Sequence, residues 1–386
     1  MRVLISGGGT GGHVYPALAV IAALPEPSQV LYTGSESGME KHLLQGTEAQ
    51  VSFATVPAAA LRGRAPWTLV RNLVILARGT RLALRLVEEF APDVALVTGG
   101  YVSIPVGLAA WRKRVPLLVY LPDVVPGLAG RLLAHLAARV ATSTPDAARY
   151  LPRGKVVVTG YPVRPALFHT DRRWARAQFG FSPEERVLLV YGGSRGARAI
   201  NLAVCQGLPE FLRRASLIHI CGQAGDEAVL RERASGLPED LRSRYRLYPY
   251  LHREMPAALA AADLAICRAG ASTLGELPAV GLPAILVPYP YVHQEENAAF
   301  LVRHGAAVQV PNARLRDRAG RPDPTALLQA LDEILEEPPR LARMAEAARR
   351  LARPEATRAL VEVLRALAGK GRDTAQEARP PIEVGR

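Results

Sequence analysis

Three polar groups stand where a chain could handle a charged, sugar-bearing ligand. His13 follows the run Gly7-Gly8-Gly9-Thr10-Gly11-Gly12. Glu276 follows Arg268-Ala269-Gly270-Ala271-Ser272-Thr273. His293 and Gln294, with Asn297, follow the Pro-interrupted segment after Ala284–Val287. A histidine titrating near neutrality can take a proton from a hydroxyl. A carboxylate such as Glu276 can accept hydrogen bonds from two adjacent ribose hydroxyls. A His-Gln pair offers donors and acceptors to a sugar. Glycine lets the backbone close on a phosphate, and a helix start favours its charge. Together these groups suggest a nucleotide-sugar site. The same residues also fit ordinary βα turns, with Glu276 solvated, His293-Gln294 on a surface loop and His13 a helix-start histidine without chemistry.

The elements that must position them alternate strand and helix. Arg2–Ser6 reads as a strand, followed by the glycine run and a helix over Val14–Leu24 with Pro16 in its first turn. Asp93–Thr98 ends at Gly99-Gly100-Tyr101-Val102-Ser103, and a helix starts near Pro105. Leu117–Leu121 leads to the loop Pro122–Gly127, which holds Asp123, and then to a helix over Ala129–Leu136. Arg186–Val190 runs into Gly192-Gly193-Ser194, a second glycine turn before a helix. The break Gly160–Pro165 marks a domain boundary. This alternation predicts an α/β protein with two Rossmann-like, parallel-sheet domains. Ligands would bind beyond the carboxyl ends of the strands, in a central cleft faced by both domains. The first glycine run also satisfies G-x-G-x-x-G, with Glu36 placed like a ribose acid, so a nicotinamide oxidoreductase is a competing reading. The repeated turn at Gly192 argues against it. No Asp-x-Asp occurs, so a diphosphate leaving group would fall to amides and arginine, with no metal and no other cofactor expected.

The 386 residues suffice for two domains, and 49% hydrophobic with 22% charged residues is a globular composition. No apolar run reaches the roughly 18–20 residues that cross a bilayer, and the first residues lack a signal-peptide pattern, so a cytoplasmic protein is expected. Cys205, Cys221 and Cys267 have no metal-ligand spacing and read as buried thiols. The net charge of +13 favours phosphorylated substrates, anionic membranes or nucleic acid. Aromatics at 6% and no nucleic-acid module make nucleic acid an unexpected partner. Over Leu61–Phe90, Trp67, Leu69, Val70, Leu73 and Leu76 recur at helical spacing beside Arg62, Arg64, Arg71, Arg78, Arg81 and Arg85. Such a helix lies on an anionic membrane or packs on the sheet with its arginines in water.

Six motifs occur in order: GGTGGH (Gly8–His13), GGYVS (Gly99–Ser103), PVR (Pro162–Arg164), GGSRGARAIN (Gly192–Asn201), RAGASTLGE (Arg268–Glu276) and HQEEN (His293–Asn297). With them the chain resembles the MurG family of N-acetylglucosamine transferases of peptidoglycan synthesis, from about Val3 to Leu367. The resemblance implies a GT-B fold. Residues 1–161 would be the acceptor- and membrane-facing domain, with a helix over 354–367 packing back on it. Residues 162–353 would bind the UDP-sugar, and 369–386 would be a disordered tail. It implies inverting transfer from UDP-N-acetylglucosamine to a lipid-linked acceptor, at the cytoplasmic face of an anionic membrane. Arg164, Ser194, Gly270, Ala271, Ser272, Thr273, Glu276, His293 and Gln294 would form the donor site, with Leu251 in the uracil-reading segment Tyr250–Met255. Thr10, Gly11, Gly12, Tyr101 and Asp123 would line the acceptor side, and His13 would be the general base. One departure stands out: where the family has His-Glu-Gln-Asn, this chain has Tyr120-Leu121-Pro122-Asp123. A diacylglycerol or another polyprenyl acceptor therefore stays open. A non-catalytic binding subunit also stays open. A 2-epimerase of the same fold would need acid/base carboxylates around the sugar, and the presence of only Glu276 and Asp123 argues against it.

Overall fold

Both expected parallel sheets form. The structure, a computed structural model, describes residues 1–8, 11–35, 51–59 and 66–377. Thr10, Glu36, Arg62, Arg64 and residues 378–386 of the expected tail lie outside the described residues. The first sheet has seven strands: β1 (Arg2–Ser6), β2 (Gln29–Gly34), β3 (Val51–Thr55), β4 (Val94–Val97), β5 (Leu117–Leu121), β6 (Arg139–Thr142) and β7 (Val156–Val158). Their order is β3-β2-β1-β4-β5-β6-β7, all parallel. The second has β8 (Val187–Tyr191), β9 (Ser216–Ile220), β10 (Tyr245–Tyr248), β11 (Leu264–Cys267), β12 (Ala284–Leu286) and β13 (Ala307–Gln309). Their order is β10-β9-β8-β11-β12-β13, again all parallel.

Helices cover both faces of the first sheet, which is why its central strands are apolar throughout and do not alternate with polar residues. Ala95, Val97, Val119 and Leu121 meet Ala83 and Val87 of the Pro66–Phe90 helix and Val106 and Ala109 of the Ser103–Arg112 helix. Val94, Leu96, Leu118 and Tyr120 point the other way, among Ala17 and Val20 of the Gly11–Ala23 helix and Leu360 and Leu364 near the end of the chain. The chain divides into two compact units. One is Met1–Pro162 together with the chain from Glu355 onward, and the other is Val163–Pro354.

The last helix, Ala356–Glu377, passes the Leu367 end expected for it and enters the segment expected to be a tail. Gly369 and Gly371 weaken a helix by about 1 kcal/mol each without stopping it, and the first proline after Pro354 is Pro380. The Pro66–Phe90 helix also differs from expectation. At 3.6 residues per turn its apolar residues divide between two faces. Leu76 turns inward with Ala83 and Val87. Trp67 (76% exposed), Val70 (61%) and Val74 (46%) stay in solvent, on one stripe with the exposed Arg71, Arg78, Arg81 and Arg85.

Candidate active site

The strand order reverses between β1 and β4, and between β8 and β11, the places where open α/β sheets accept ligands. At the first reversal the helix starts at Gly11, not Val14, so His13 lies within its first turn and Pro16 lies inside it. Proline has no N–H, so the Gly12 carbonyl, four residues earlier, loses its helical donor. The Tyr161 hydroxyl donates to it at 3.4 Å. Thr98 Oγ1 donates to the His13 carbonyl at 2.7 Å, and the Tyr32 hydroxyl to the Gly7 carbonyl at 2.7 Å.

Gly99 and Gly100 follow β4 with φ of 104° and 78°, in the region other residues avoid. A Cβ on Gly99 would lie 3.0 Å from His13 Cδ2 and 3.1 Å from its Nε2, so bare backbone makes room for the imidazole. A Cβ on Gly100 would meet the Gly8 carbonyl at 2.6 Å and His13 Nδ1 at 3.6 Å, which puts both on one side of the ring. Burial lowers the His13 pKa. The Asp123 carboxylate and a hydrogen bond to the Gly8 backbone oppose that shift. The imidazole is therefore neutral at neutral pH, and with Nδ1–H assigned toward Gly8, Nε2 is the basic nitrogen. Gly11 and Gly12 open the same helix, and Tyr101 is 39% exposed beside Gly100.

The departure at Tyr120-Leu121 falls largely on the core. Tyr120 is fully buried as a β5 residue, hydrogen-bonded to Ser143 Oγ at 2.7 Å and to the Gly160 carbonyl at 3.2 Å. Burial pushes its phenol well above the usual range. Leu121 is buried on the opposite face, so of these four residues Asp123 is the one left half-exposed. The expected loop facing a ligand shrinks to that carboxylate, because strand alternation turns the two preceding side chains into the two cores.

At the second reversal the turns after β8 and β9 press together. A Cβ on Gly196 would lie 2.0 Å from the Cys221 carbonyl, and one on Gly222 2.1 Å from the Gly196 nitrogen. Asn201 braces them from below, donating from Nδ2 to the Cys221 carbonyl at 2.7 Å and to Asp226 Oδ2 at 2.8 Å. With both donors used, its Oδ1 accepts from His219 Nε2 at 3.1 Å, and His219 Nδ1 accepts from the Tyr245 hydroxyl at 2.9 Å. Burial pushes His219 down to about 3, so it is neutral, as that tautomer requires. Ser194 lies in the braced turn, its carbonyl accepting from Gln223 N at 3.2 Å.

Glu276 sits in the first turn of the Thr273–Val280 helix. Burial raises its pKa; the Arg164 guanidinium and a hydrogen bond from Ser272 oppose this and favour the carboxylate. Arg164 Nη1 also donates to the His252 carbonyl at 2.6 Å, tying this carboxylate's partner to the segment that holds Leu251. The Gln294 Nε2 lies 3.9 Å from where a Gly270 Cβ would be, and its Oε1 accepts from Tyr289 N at 2.9 Å. The second unit thus gathers Arg164, Gly270, Ala271, Ser272, Thr273, Glu276 and Gln294.

Two expectations here are corrected. The amides of Thr273, Leu274, Gly275 and Glu276 all bond back to the carbonyls of Gly270, Ala271 and Ser272. An anion therefore cannot use them and must be met by Arg164 and the turn upstream. Gln294 and Asn297 lie on the Gln294–Arg303 helix, not on a loop, because Gln294 already begins its first turn. Asn297 is fully buried and donates to the Ala269 carbonyl at 3.1 Å, a bracing role, and His293 is exposed at the helix start. Cys221 and Cys267 are buried as expected, whereas Cys205 is only partly so. Among the described residues no cluster of His, Cys, Asp or Glu is arranged to hold a metal ion. Thr98, Tyr161, Asn201 and His219 were not singled out from the sequence. Pro16 alone gave a signal, since it leaves the Gly12 carbonyl in need of a donor.

Comparison with known proteins gives the family. Residues 3–142 match the glycosyltransferase family 28 N-terminal domain and residues 187–360 its C-terminal domain. The chain belongs to glycosyltransferase family 28. Within family 28 it is similar to the UDP-N-acetylglucosamine--N-acetylmuramyl-(pentapeptide) pyrophosphoryl-undecaprenol N-acetylglucosamine transferase of Roseiflexus sp. (strain RS-1), 48% identical over 95% of each chain. The transferase of that name from Moorella thermoacetica is 42% identical, over 94% of this chain and 98% of the relative. The crystal structure of Acinetobacter baumannii MurG superposes with a TM-score of 0.72 at 28% identity, covering 95% of this chain and 99% of that one. The architecture is thus GT-B. The UDP-GlcNAc 2-epimerase of Neisseria meningitidis has a TM-score of 0.70 at 17% identity, over 95% of this chain and 100% of that one, and shares the fold alone.

Proposed function

We infer that this chain transfers N-acetylglucosamine from UDP-N-acetylglucosamine to the N-acetylmuramyl-(pentapeptide) pyrophosphoryl-undecaprenol acceptor, making lipid II from lipid I. The observation that carries the reading is the 48% identity over 95% of both chains to a transferase of that name. The Arg164–Glu276–Gln294 cluster supports a UDP-sugar as donor. In an inverting reaction the acceptor oxygen forms its bond to the anomeric carbon as the bond from that carbon to the diphosphate breaks. The proton of the attacking hydroxyl passes to His13 Nε2, and UDP leaves with its charge met by Arg164 and the amides of the turn upstream of the Thr273–Val280 helix. Such a division of labour needs no metal ion.

Attachment to the anionic cytoplasmic face of the membrane is part of the same reading, since the acceptor's sugar lies at the bilayer surface. Among the described residues no helix is long and apolar enough to cross a membrane. The exposed stripe Trp67, Val70, Val74 with Arg71, Arg78, Arg81 and Arg85 supports peripheral docking. The purified chain, given UDP-N-acetylglucosamine and the lipid-linked muramyl-pentapeptide, should release UDP and yield an acceptor heavier by one N-acetylhexosamine in mass spectrometry. A product formed on diacylglycerol and not on this acceptor would move the enzyme to another lipid.

A further inference from the structure

Tyr191 is the last residue of β8, and in the parallel pairing of β8 with β11 it stands opposite Cys267. Its side chain is 7% exposed, and its buried hydroxyl has no oxygen or nitrogen partner among the described residues. Apolar packing does not explain that hydroxyl, because phenylalanine would fill the space without stranding a polar atom. Two groups act on the phenol: the Cys267 thiol, near enough for a weak sulfur hydrogen bond, and the Glu276 carboxylate. The thiol is a weak partner, and burial pushes it up to about 12, so it stays protonated.

Glu276 has a use for a second fixed donor. A carboxylate offers about four lone-pair sites. On the donor-site reading above, two go to the ribose diol, and the Ser272 side chain takes one. We propose that Tyr191 is a positioning residue for Glu276, its hydroxyl donating to the carboxylate when a nucleoside diphosphate is bound and holding the opposite lone pairs toward the ribose. Without ligand the hydroxyl has only the weak thiol partner. Binding then gives both the ribose and the phenol a partner, so the two events favour one another. This inference rests on the donor-site reading and adds a residue to it.

The test is calorimetric titration with UDP, together with thermal melting without it. Tyr191→Phe should melt no lower than the wild type, because the hydroxyl lost has only the weak thiol partner, while its affinity for UDP falls about tenfold, the loss of one hydrogen bond to a charged group. In a Glu276→Gln background the same change should cost little more, because the hydroxyl acts through that carboxylate. Unchanged UDP affinity in Tyr191→Phe overturns the proposal. So does a lowered melting temperature without UDP, which would mean the hydroxyl already has a structural partner. Full additivity in the double variant also overturns it, since Tyr191 would then touch the ligand directly. A wild type that does not bind UDP at all overturns the donor-site reading itself, a result distinct from the other three.

Discussion

At the scale of single residues, the proposed mechanism assigns donor binding to one cluster and proton transfer to the other. Glu276→Ala removes a carboxylate that would accept two hydrogen bonds, each worth roughly 1.5–3 kcal/mol at most. Steady-state kinetics should show kcat/KM for the donor falling about 10²-fold. His13→Ala should instead lower kcat by about 10²–10⁴, the usual contribution of a general base, and leave UDP titration unchanged. The pH profile gives a sharper test. Asp123 raises the His13 pKa against the larger effect of burial. Asp123→Asn should therefore shift the acidic limb of kcat/KM to lower pH, and the weaker base should lower the plateau. An acidic limb that does not move would separate Asp123 from His13. On the proposed mechanism, in which Arg164 and turn amides meet the leaving diphosphate, turnover should also survive EDTA; loss on chelation restored by Mg²⁺ would assign that charge to a metal.

Among the elements, the Pro66–Phe90 helix gives the clearest prediction. Replacing Trp67, Val70 and Val74 by Ser should abolish co-sedimentation with anionic vesicles and leave the melting temperature nearly unchanged, because all three side chains are already in water. Leu76→Ser, on the buried face, should destabilise the fold instead. Binding should weaken with added salt, since each arginine near the surface contributes about 1 kcal/mol that ions screen. This helix also shows what the sequence could reveal. Helical spacing identified the helix but could not say which of its apolar residues face the sheet, because that depends on partners far away in the chain. The strands were legible for the opposite reason. Val94–Val97 and Leu117–Leu121 are apolar on both faces and bounded by turns, so local pattern sufficed. The Gly99-Gly100 turn was visible, whereas the imidazole resting on it was not, since the close approach joins residues over eighty positions apart. The bracing of the second glycine turn by Asn201 and His219 was likewise invisible, being a network closed only in three dimensions.

For the molecule as a whole, acid stability should bear the mark of His219. Its folded pKa of about 3 lies below the unfolded value of 6.5. Between those values the unfolded chain holds a proton that the folded chain refuses, so stability falls as pH drops through that window, by at most ~1.4 kcal/mol per unit. Melting curves from pH 7 to pH 4 should show this decline, and His219→Gln should flatten it whatever its stability at pH 7. A wild-type melting temperature level across the window would show that the folded state accepts the proton.

The chain leaves its first unit at Pro162 and comes back at Glu355, so a ribosome completes the second unit while the first is still missing a piece. Val3, Ile5, Leu96, Leu118 and Tyr120 wait for Leu360 and Leu364 to arrive. Until translation reaches them, only the Gly11–Ala23 helix covers that face of the seven-stranded sheet and the rest is bare, and that interval is when a nascent chain would need a chaperone. A message truncated near codon 354 would make this vulnerability permanent: its product would carry a finished second unit tethered to a partly uncovered sheet, and should aggregate although every residue singled out at both clusters is present.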